Sequence, residues 1–172
     1  MNNLIDISLL KKYYDICGIT EQELTECFQE EIDGLADENG ITHEECVKEL
    51  RKRYDGYHFH QQAPGVYNPF SVLNTFWKGE FGSYWFETGT PTYLVQLLRN
   101  HNYDLDVMAN AEVTADVLNS IDAESKDPIP VIYQSGYLSI KGYNERFKRY
   151  LLGFPNEEVE EGFAHLSYLV KV

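Results

Sequence analysis

The sequence lacks any apolar run near the ~20 residues that a membrane-spanning helix needs, and no charged-then-apolar leader follows Met1. It also lacks a glycine-rich phosphate loop, a Ser-His-Asp set and a metal-ligand spacing. These absences predict a cytoplasmic protein with no membrane contact, no metal site and no catalytic residues of its own. The three cysteines, Cys17, Cys27 and Cys46, include no Cys-x-x-Cys pair, so we expect reduced, partly buried thiols.

Basic residues are scarce, because 14 Lys and Arg stand against 28 Asp and Glu and give the 172-residue chain a net charge of -14. A polyanion must meet a cationic surface before base contacts form, so this charge argues against nucleic-acid binding by the whole molecule. The acidity is uneven, since residues 141–149 hold four basic side chains and one acidic one. We expect any nucleic-acid-facing surface there, at Lys141, Arg146, Lys148 and Arg149.

Two capping boxes, Thr20 with Glu23 and Thr42 with Glu45, predict the starts of two helices that form a hairpin. Apolar residues at helical spacing indicate that the first helix continues unbroken to Asn39. The acidic residues along it are interpreted as its solvated face.

Asn68 as a cap and Pro69 at the first helical position predict a further helix that ends at Gly79. Its predicted apolar face consists of Phe70, Leu73, Phe76 and Trp77. Thr90 and Pro91 show the same pattern of a capping residue followed by proline, which predicts another helix. Between the two, the aromatic run 84–86 is interpreted as an edge strand.

Residues 99–127 are polar and acidic, and they are interpreted as a long connection with one helical turn at 114–118. Asp127-Pro128 then predicts the start of a helix that Ser135-Gly136 terminates.

The β-prone runs 137–141 and 148–152 predict a hairpin with a longer loop. A helix followed by a basic-tipped hairpin is the outline of a winged helix. Residues 157–170 predict a last helix that has no Gly or Pro stop signal, so we expect the chain to be a piece of a longer protein.

Five motifs follow one another along the chain: 54–59 (Tyr-Asp-Gly-Tyr-x-Phe), 66–71 (Val-Tyr-Asn-Pro-Phe-Ser), 84–92 (Tyr-Trp-Phe-Glu-Thr-Gly-Thr-Pro-Thr), 134–138 (Gln-Ser-Gly-Tyr-Leu) and 153–157 (Gly-Phe-Pro-Asn-Glu). With these motifs the chain resembles the bacterial AAA-ATPase-like family, in which a P-loop ATPase core precedes a helical region and often a restriction-endonuclease-like nuclease domain. The resemblance covers nearly the full length, but only the region after the core, since G-x-x-x-x-G-K-[ST] and a Walker B strand are absent.

The resemblance implies that ATP and Mg²⁺ enter only with the missing core, and that this chain has no cofactor of its own. It implies as partners that core and a C-terminal nuclease-like domain. The predicted fold class is mainly α with a small β-hairpin (α+β). The domains are expected to be 1–125, a helical lid-like region, 126–155, a helix plus winged-helix-like hairpin, and 156–172, a linker helix toward the missing C-terminal domain.

In related P-loop ATPases a turn of the helical lid approaches the nucleotide. The resemblance therefore implies that the nucleotide-facing residues of this chain are Asp55, Gly56, Tyr57, Asn68 and Pro69. Gly56 allows close backbone approach, Tyr57 is suited to stack on a base, and the helix from Pro69 presents N–H groups to an anion. The alternative is that Tyr57, Tyr67 and Phe70 are packed in the hydrophobic core and that Asn68 only caps the helix that follows it. That arrangement is the more common one in proteins.

Two further clusters of polar residues are explained without a functional role. His58 and His60 lack a third ligand, so we expect exposed loop histidines rather than a metal pair. The glutamates of 157–161 are expected to be a solvated first turn, which the helix dipole favours.

The predicted function is therefore a non-catalytic lid and winged-helix region that couples the nucleotide state of a missing P-loop core to a partner domain or nucleic acid. Two alternatives remain open. One is a stand-alone nucleic-acid-binding winged helix, and the other is a protein-interaction module that uses exposed aromatic residues from 84–86.

Overall fold

A computed structural model describes residues 5–87, 107, 110–119 and 127–171. The described α-helices are α1 Glu21–Cys27, α2 Gln29–Asn39, α3 His43–Tyr54, α4 Pro69–Lys78, α5 Tyr84–Glu87, α6 Ala115–Leu118, α7 Ile129–Gln134 and α8 Glu157–Lys171. The described strands are β1 Glu112–Val113, β2 Ser139–Asn144 and β3 Arg149–Gly153. The predicted class, mainly α with a small β part, is confirmed. In this part of the chain no helix has the length and apolar character needed to cross a bilayer.

Both predicted capping boxes form. The Thr20 and Thr42 hydroxyls each accept a hydrogen bond at 3.2 Å from the backbone N–H of the glutamate three residues on. The carboxylates of Glu23 and Glu45 accept in return from the N–H groups of the cap residues at 2.9 Å. Four N-terminal donors are thus satisfied, which fixes where α1 and α3 begin.

The first predicted helix is broken in two. Phe28, at φ -120° and ψ 29°, separates α1 from α2, so the prediction of one continuous helix is wrong. At the break the Phe28 ring stacks on Phe76 of α4, with the ring centroids 5.6 Å apart. Helices α1 to α4 enclose a first core whose largest buried side chains are Leu24, Ile32, Leu50, Tyr54 and Tyr67.

Helix α4 begins and ends as predicted, but it buries a different face. Its buried residues are Ser71, Val72 and Thr75. Three residues of the predicted apolar face are exposed instead, at 44% for Phe70, 49% for Leu73 and 81% for Trp77. Contacts with residues distant in the sequence determine which face is buried. The Ser71 hydroxyl hydrogen-bonds to a buried carboxylate on α8, and the Thr75 hydroxyl to a buried tyrosine on α3.

The sheet has the order β1-β3-β2 and is antiparallel throughout. The β2–β3 hairpin was predicted, whereas β1 was missed because only two residues pair, Glu112 with Leu151 and Val113 with Tyr150. The predicted helical turn at 114–118 is confirmed as α6. The run 84–86 is part of helix α5, so its interpretation as an edge strand is wrong. The helix predicted at Thr90-Pro91 lies outside the described residues.

A second core lies between the sheet, α6, α7 and α8. Its fully or nearly fully buried members are Leu118, Ile132, Leu138, Ile140, Leu152, Val159 and Phe163. Helix α8 also contacts α3, where Lys52 and Glu157 form an ion pair at 2.8 Å. Helix α8 therefore lies against both cores.

Candidate functional site

A cavity of about 760 Å³ lies between residues 6–17, the segments around Tyr57 and Val66, α5 and the turn that joins α7 to β2. Aromatic side chains dominate its wall: Tyr13, Tyr57, Phe59, Tyr67, Trp85 and Tyr133. Its polar lining includes Asn68, Asn119, Gln134, Ser135 and Ser139. The volume falls within the roughly 300–1,000 Å³ of small-molecule sites.

Short backbone pairings place the first wall of the cavity. Tyr57 and Val66 exchange N–H···O bonds of 3.3 and 3.0 Å, and Tyr67 does the same with Ile19 at 2.8 and 3.2 Å. These pairings bring Tyr57 next to the start of α4 at Asn68, whose backbone N–H donates to the last residue of α3 at 2.9 Å. The turn residues around Tyr57 are thereby fixed between α3 and α4.

A second part of the wall, next to Tyr57, contains Gly136 at φ +80°, a conformation that residues with a Cβ rarely adopt. A Cβ there would lie 3.5 Å from Cζ2 of Trp85 and 3.9 Å from Cε1 of Tyr57. Trp85 also packs on Tyr137 of the second core, with the ring centroids 4.8 Å apart. The stop signal that ends α7 is therefore also part of the cavity wall.

A polar node lies behind this wall, and we use that name for Tyr57, Asn68, Ser71, Asn156 and Glu158. Ser71 and Glu158 are both 0% exposed. The Ser71 hydroxyl lies 2.7 and 2.9 Å from the two carboxylate oxygens of Glu158, and the backbone N–H of Trp85 donates to the same carboxylate at 2.9 Å. One buried carboxylate thus joins α4, α5 and α8.

Tyr57 connects the cavity to the polar node. Its ring lines the cavity, while its hydroxyl is buried and has no hydrogen-bond partner of good geometry in the described part of the chain. Burial, and then the negative charge of Glu158, raise the pKa of Tyr57, although the nearby amides of Asn68 and Asn156 oppose the shift. The hydroxyl therefore keeps its proton at neutral pH.

The turn before Tyr57 rests on the start of α8. Asn156 Nδ2 donates to the Asp55 carbonyl at 2.9 Å, while Asn156 Oδ1 accepts from the N–H of Val159 at 3.2 Å. Gly56 has φ +99°, and a Cβ there would lie 2.1 Å from the Pro155 carbonyl oxygen. Only glycine fits this contact, so the turn and the two residues before α8 form one packed unit.

The five residues predicted to face a nucleotide are divided between two places. Tyr57, Asn68 and Pro69 line the cavity, whereas Asp55 and Gly56 are absent from its described lining and face α8. Asp55 Oδ1 is buried without a hydrogen-bond partner among the described residues.

The four predicted nucleic-acid-facing residues are also divided. Arg146 and Lys148 are exposed at the hairpin tip, with the Arg146 guanidinium 5.2 Å from the centroid of the exposed Phe147 ring. Arg149 lies 3.9 Å from a carboxylate of β1. Lys141 is also exposed, but its Nζ donates at 2.9 Å to a backbone carbonyl just before α8.

Within the described ranges, no three His, Cys, Asp or Glu side chains come together as a metal site would require. His58 Nδ1 lies 3.0 Å from the Ala63 carbonyl, and His60 Nδ1 accepts from the N–H of Gln62 at 3.0 Å. Cys46 is buried, and burial raises its pKa to about 11. These groups are thus held by local contacts.

Glu158 is the site residue whose surroundings were predicted wrongly from the sequence. It was predicted to belong to a solvated first turn, but it is fully buried. No local signal separates it from Glu157 or Glu160, because its hydroxyl partner is 87 residues away in the chain.

The chain is 37% identical over 163 residues to an uncharacterised protein in the region 5′ of vnfD in Azotobacter chroococcum mcd 1. The match covers 93% of this chain and 29% of that protein, so the chain spans less than a third of its relative's length. No protein-family model and no solved structure matches the chain.

Proposed function

We propose that this chain is a non-catalytic coupling element of an AAA-ATPase-like protein. It is the helical lid and winged-helix-like region that transmits the nucleotide state of a P-loop core, outside this sequence, to a partner domain or nucleic acid. ATP and Mg²⁺ are bound with that core, and this chain alone neither hydrolyses ATP nor cleaves DNA. The five motifs that resemble the family support the proposal.

One observation carries the coupling role. Tyr57 lines the cavity, and the two residues before it are packed against Pro155 and Asn156 at the start of α8. A ligand that displaced the Tyr57 ring would shift this turn, and the contact at Gly56 leaves no space for the turn to move independently of α8. Occupancy of the cavity is therefore transmitted to the first turn of α8.

The test uses a protein that carries this chain together with its proposed core. Hydrogen exchange in the first turn of α8 is measured with and without a non-hydrolysable ATP analogue, and we expect protection to change on binding. Asn156→Asp is the matched variant, because aspartate is also a good N-cap but cannot donate to the Asp55 carbonyl. It should bind the analogue with little change in affinity while the response of α8 is reduced, because the contact of Gly56 with Pro155 remains.

Tyr57→Ala should weaken binding of the analogue without unfolding the protein. Exchange in α8 that is identical with and without the analogue in the parent protein refutes coupling. Unchanged analogue affinity in a folded Tyr57→Ala variant refutes the nucleotide-facing role of Tyr57 and favours the packed-core alternative.

The hairpin tip supports a second candidate function, contact with nucleic acid. Arg146 and Lys148 are exposed on either side of Phe147, which is 61% exposed. If both cations contact phosphates, neutralising them together should lower the log–log salt slope of duplex DNA binding by about two. Lys141→Gln is the control and should leave the slope unchanged, since its amino group is held by a carbonyl. No binding at low ionic strength excludes this function for the chain.

A further inference from the structure

We propose that the cavity binds an uncharged, planar aromatic ring system and does not bind phosphate groups. The identification of this ring with the base of a nucleotide rests on the function proposed above. The ring specificity itself rests on the walls of the cavity and on their charge.

The walls suit a flat aromatic ligand. Tyr57, Trp85 and Gly136 all line the cavity, and a Cβ at Gly136 would lie 3.9 Å from the Tyr57 ring and 3.5 Å from the Trp85 ring, so the two rings are neighbours in the wall. Aromatic faces bind rings by stacking, and this interaction needs no particular hydrogen-bond pattern. The amide of Asn119 and the hydroxyl of Ser135 add polar groups for the edge of the ring.

The charge of the lining disfavours phosphate. Among the described lining residues there is no Lys or Arg, and the one carboxylate is that of Asp6. A phosphate placed here would meet no Lys or Arg of the described lining to offset its desolvation, and the one imidazole of that lining, His58, has its Nδ1 3.0 Å from the Ala63 carbonyl.

The start of α4 is closed to anions as well. Its first residue, Pro69, has no N–H, and the next two N–H groups donate to Asn68 Oδ1 at 3.0 and 3.4 Å. The N–H of Val72 donates to the Asn68 carbonyl at 3.1 Å. The donors that would otherwise bind a phosphate at a helix N-terminus are therefore already used. Any phosphates of a bound nucleotide must lie outside the cavity, toward the proposed core.

The test uses the 172-residue chain with Trp77→Phe, which leaves Trp85 as the single tryptophan. Adenosine, AMP and ATP without Mg²⁺ are titrated while the Trp85 fluorescence is followed. We expect adenosine to quench it saturably, and AMP and ATP to bind no more tightly than adenosine. Absence of a response to adenosine overturns the proposal, and so does tighter binding of AMP or ATP.

Ser135→Phe places a ring in the cavity and should abolish adenosine binding, whereas Ser135→Ala should retain it. Asn119→Phe, with Asn119→Ala as its control, is the second blocking variant if Ser135→Phe does not fold by circular dichroism. Binding that survives in a folded blocking variant shows that adenosine binds elsewhere and overturns the proposal. The outcome is separate from the coupling test, because adenosine binding by the chain does not depend on the response of α8 in the longer protein.

Discussion

Removing the Ser71 hydroxyl tests the polar node most directly. In Ser71→Ala the fully buried Glu158 loses a donor that lies 2.7 and 2.9 Å from its two carboxylate oxygens. The carboxylate has no access to water that could replace this donor, since it is 0% exposed. The substitution therefore leaves buried charge less well solvated than before.

The expected loss can be worked out from two opposing effects. A hydrogen bond to a charged group contributes about 1.5–3 kcal/mol. Alanine is a better helix former than serine by about 0.5 kcal/mol, and Ser71 is inside α4. The free energy of unfolding should therefore fall by about 1–2.5 kcal/mol. For a chain of this length that corresponds to a fall in Tm of about 2–10 °C.

The assay is urea and thermal unfolding followed by circular dichroism. Ser8→Ala is the matched control, because the Ser8 hydroxyl also donates to a carboxylate, that of Asp6 at 2.6 Å, but both residues are exposed. Its stability should change by less than about 0.5 kcal/mol. An effect of Ser71→Ala as small as that of Ser8→Ala would refute the buried-carboxylate argument.

Three further predictions concern other parts of the molecule. Burial favours a raised pKa for Glu21, but hydrogen bonds from Arg51 and Tyr67 lower that pKa below 4.5. Stability is therefore lost as pH falls through the lowered value, and Glu21→Gln should flatten the curve of unfolding free energy against pH below pH 5. For Tyr57, whose pKa is raised, stability is lost as pH rises instead. The buried neutral hydroxyl contributes fully to stability below the ordinary pKa of 10.0, and this contribution falls above it. Tyr57→Phe should therefore lose less stability than the parent protein above pH 10. Trp85→Ala should lower Tm sharply, because the Trp85 ring packs on the second core. Trp77→Gln should shift Tm little, because Trp77 is 81% exposed. Equal shifts in Tm would contradict this assignment of burial.

Elements with local signals were predictable. The capping boxes at Thr20 and Thr42 and the Asn68-Pro69 start of α4 depend on residues within four positions of each other, and all three form. The hairpin was predictable for the same reason, because its strands are neighbours in sequence. Strand β1 was not, since a two-residue strand has no periodicity and is defined by pairing with residues almost 40 positions later.

The buried face of α4 shows why periodicity alone failed there. The apolar residues Phe70, Leu73 and Trp77 have helical spacing, which ordinarily indicates the buried stripe. Tertiary contacts instead bury Ser71 and Thr75, whose hydroxyls satisfy Glu158 and Tyr54. A sequence cannot show which buried polar partner a helix will meet.

The candidate site was predictable in its components and not in its geometry. Tyr57, Asn68 and Pro69 were singled out because the family resemblance points to a turn that approaches the nucleotide, and all three line the cavity. Gly56 was singled out with them, but its role is a close contact with Pro155 at the start of α8, a position that only folding brings near.

The five motifs that carry the family resemblance are distributed over more than half of the chain, yet each contributes to one small region. Tyr57 comes from the first, Asn68 from the second, Trp85 from the third, Gly136 from the fourth and Asn156 from the fifth. Four of these residues line the cavity, and Asn156 joins the turn before Tyr57 to α8. Side chains in direct contact couple their effects on stability and binding. We therefore expect substitutions in different motifs to be non-additive with one another, and additive with changes at the hairpin tip, which lies outside this region.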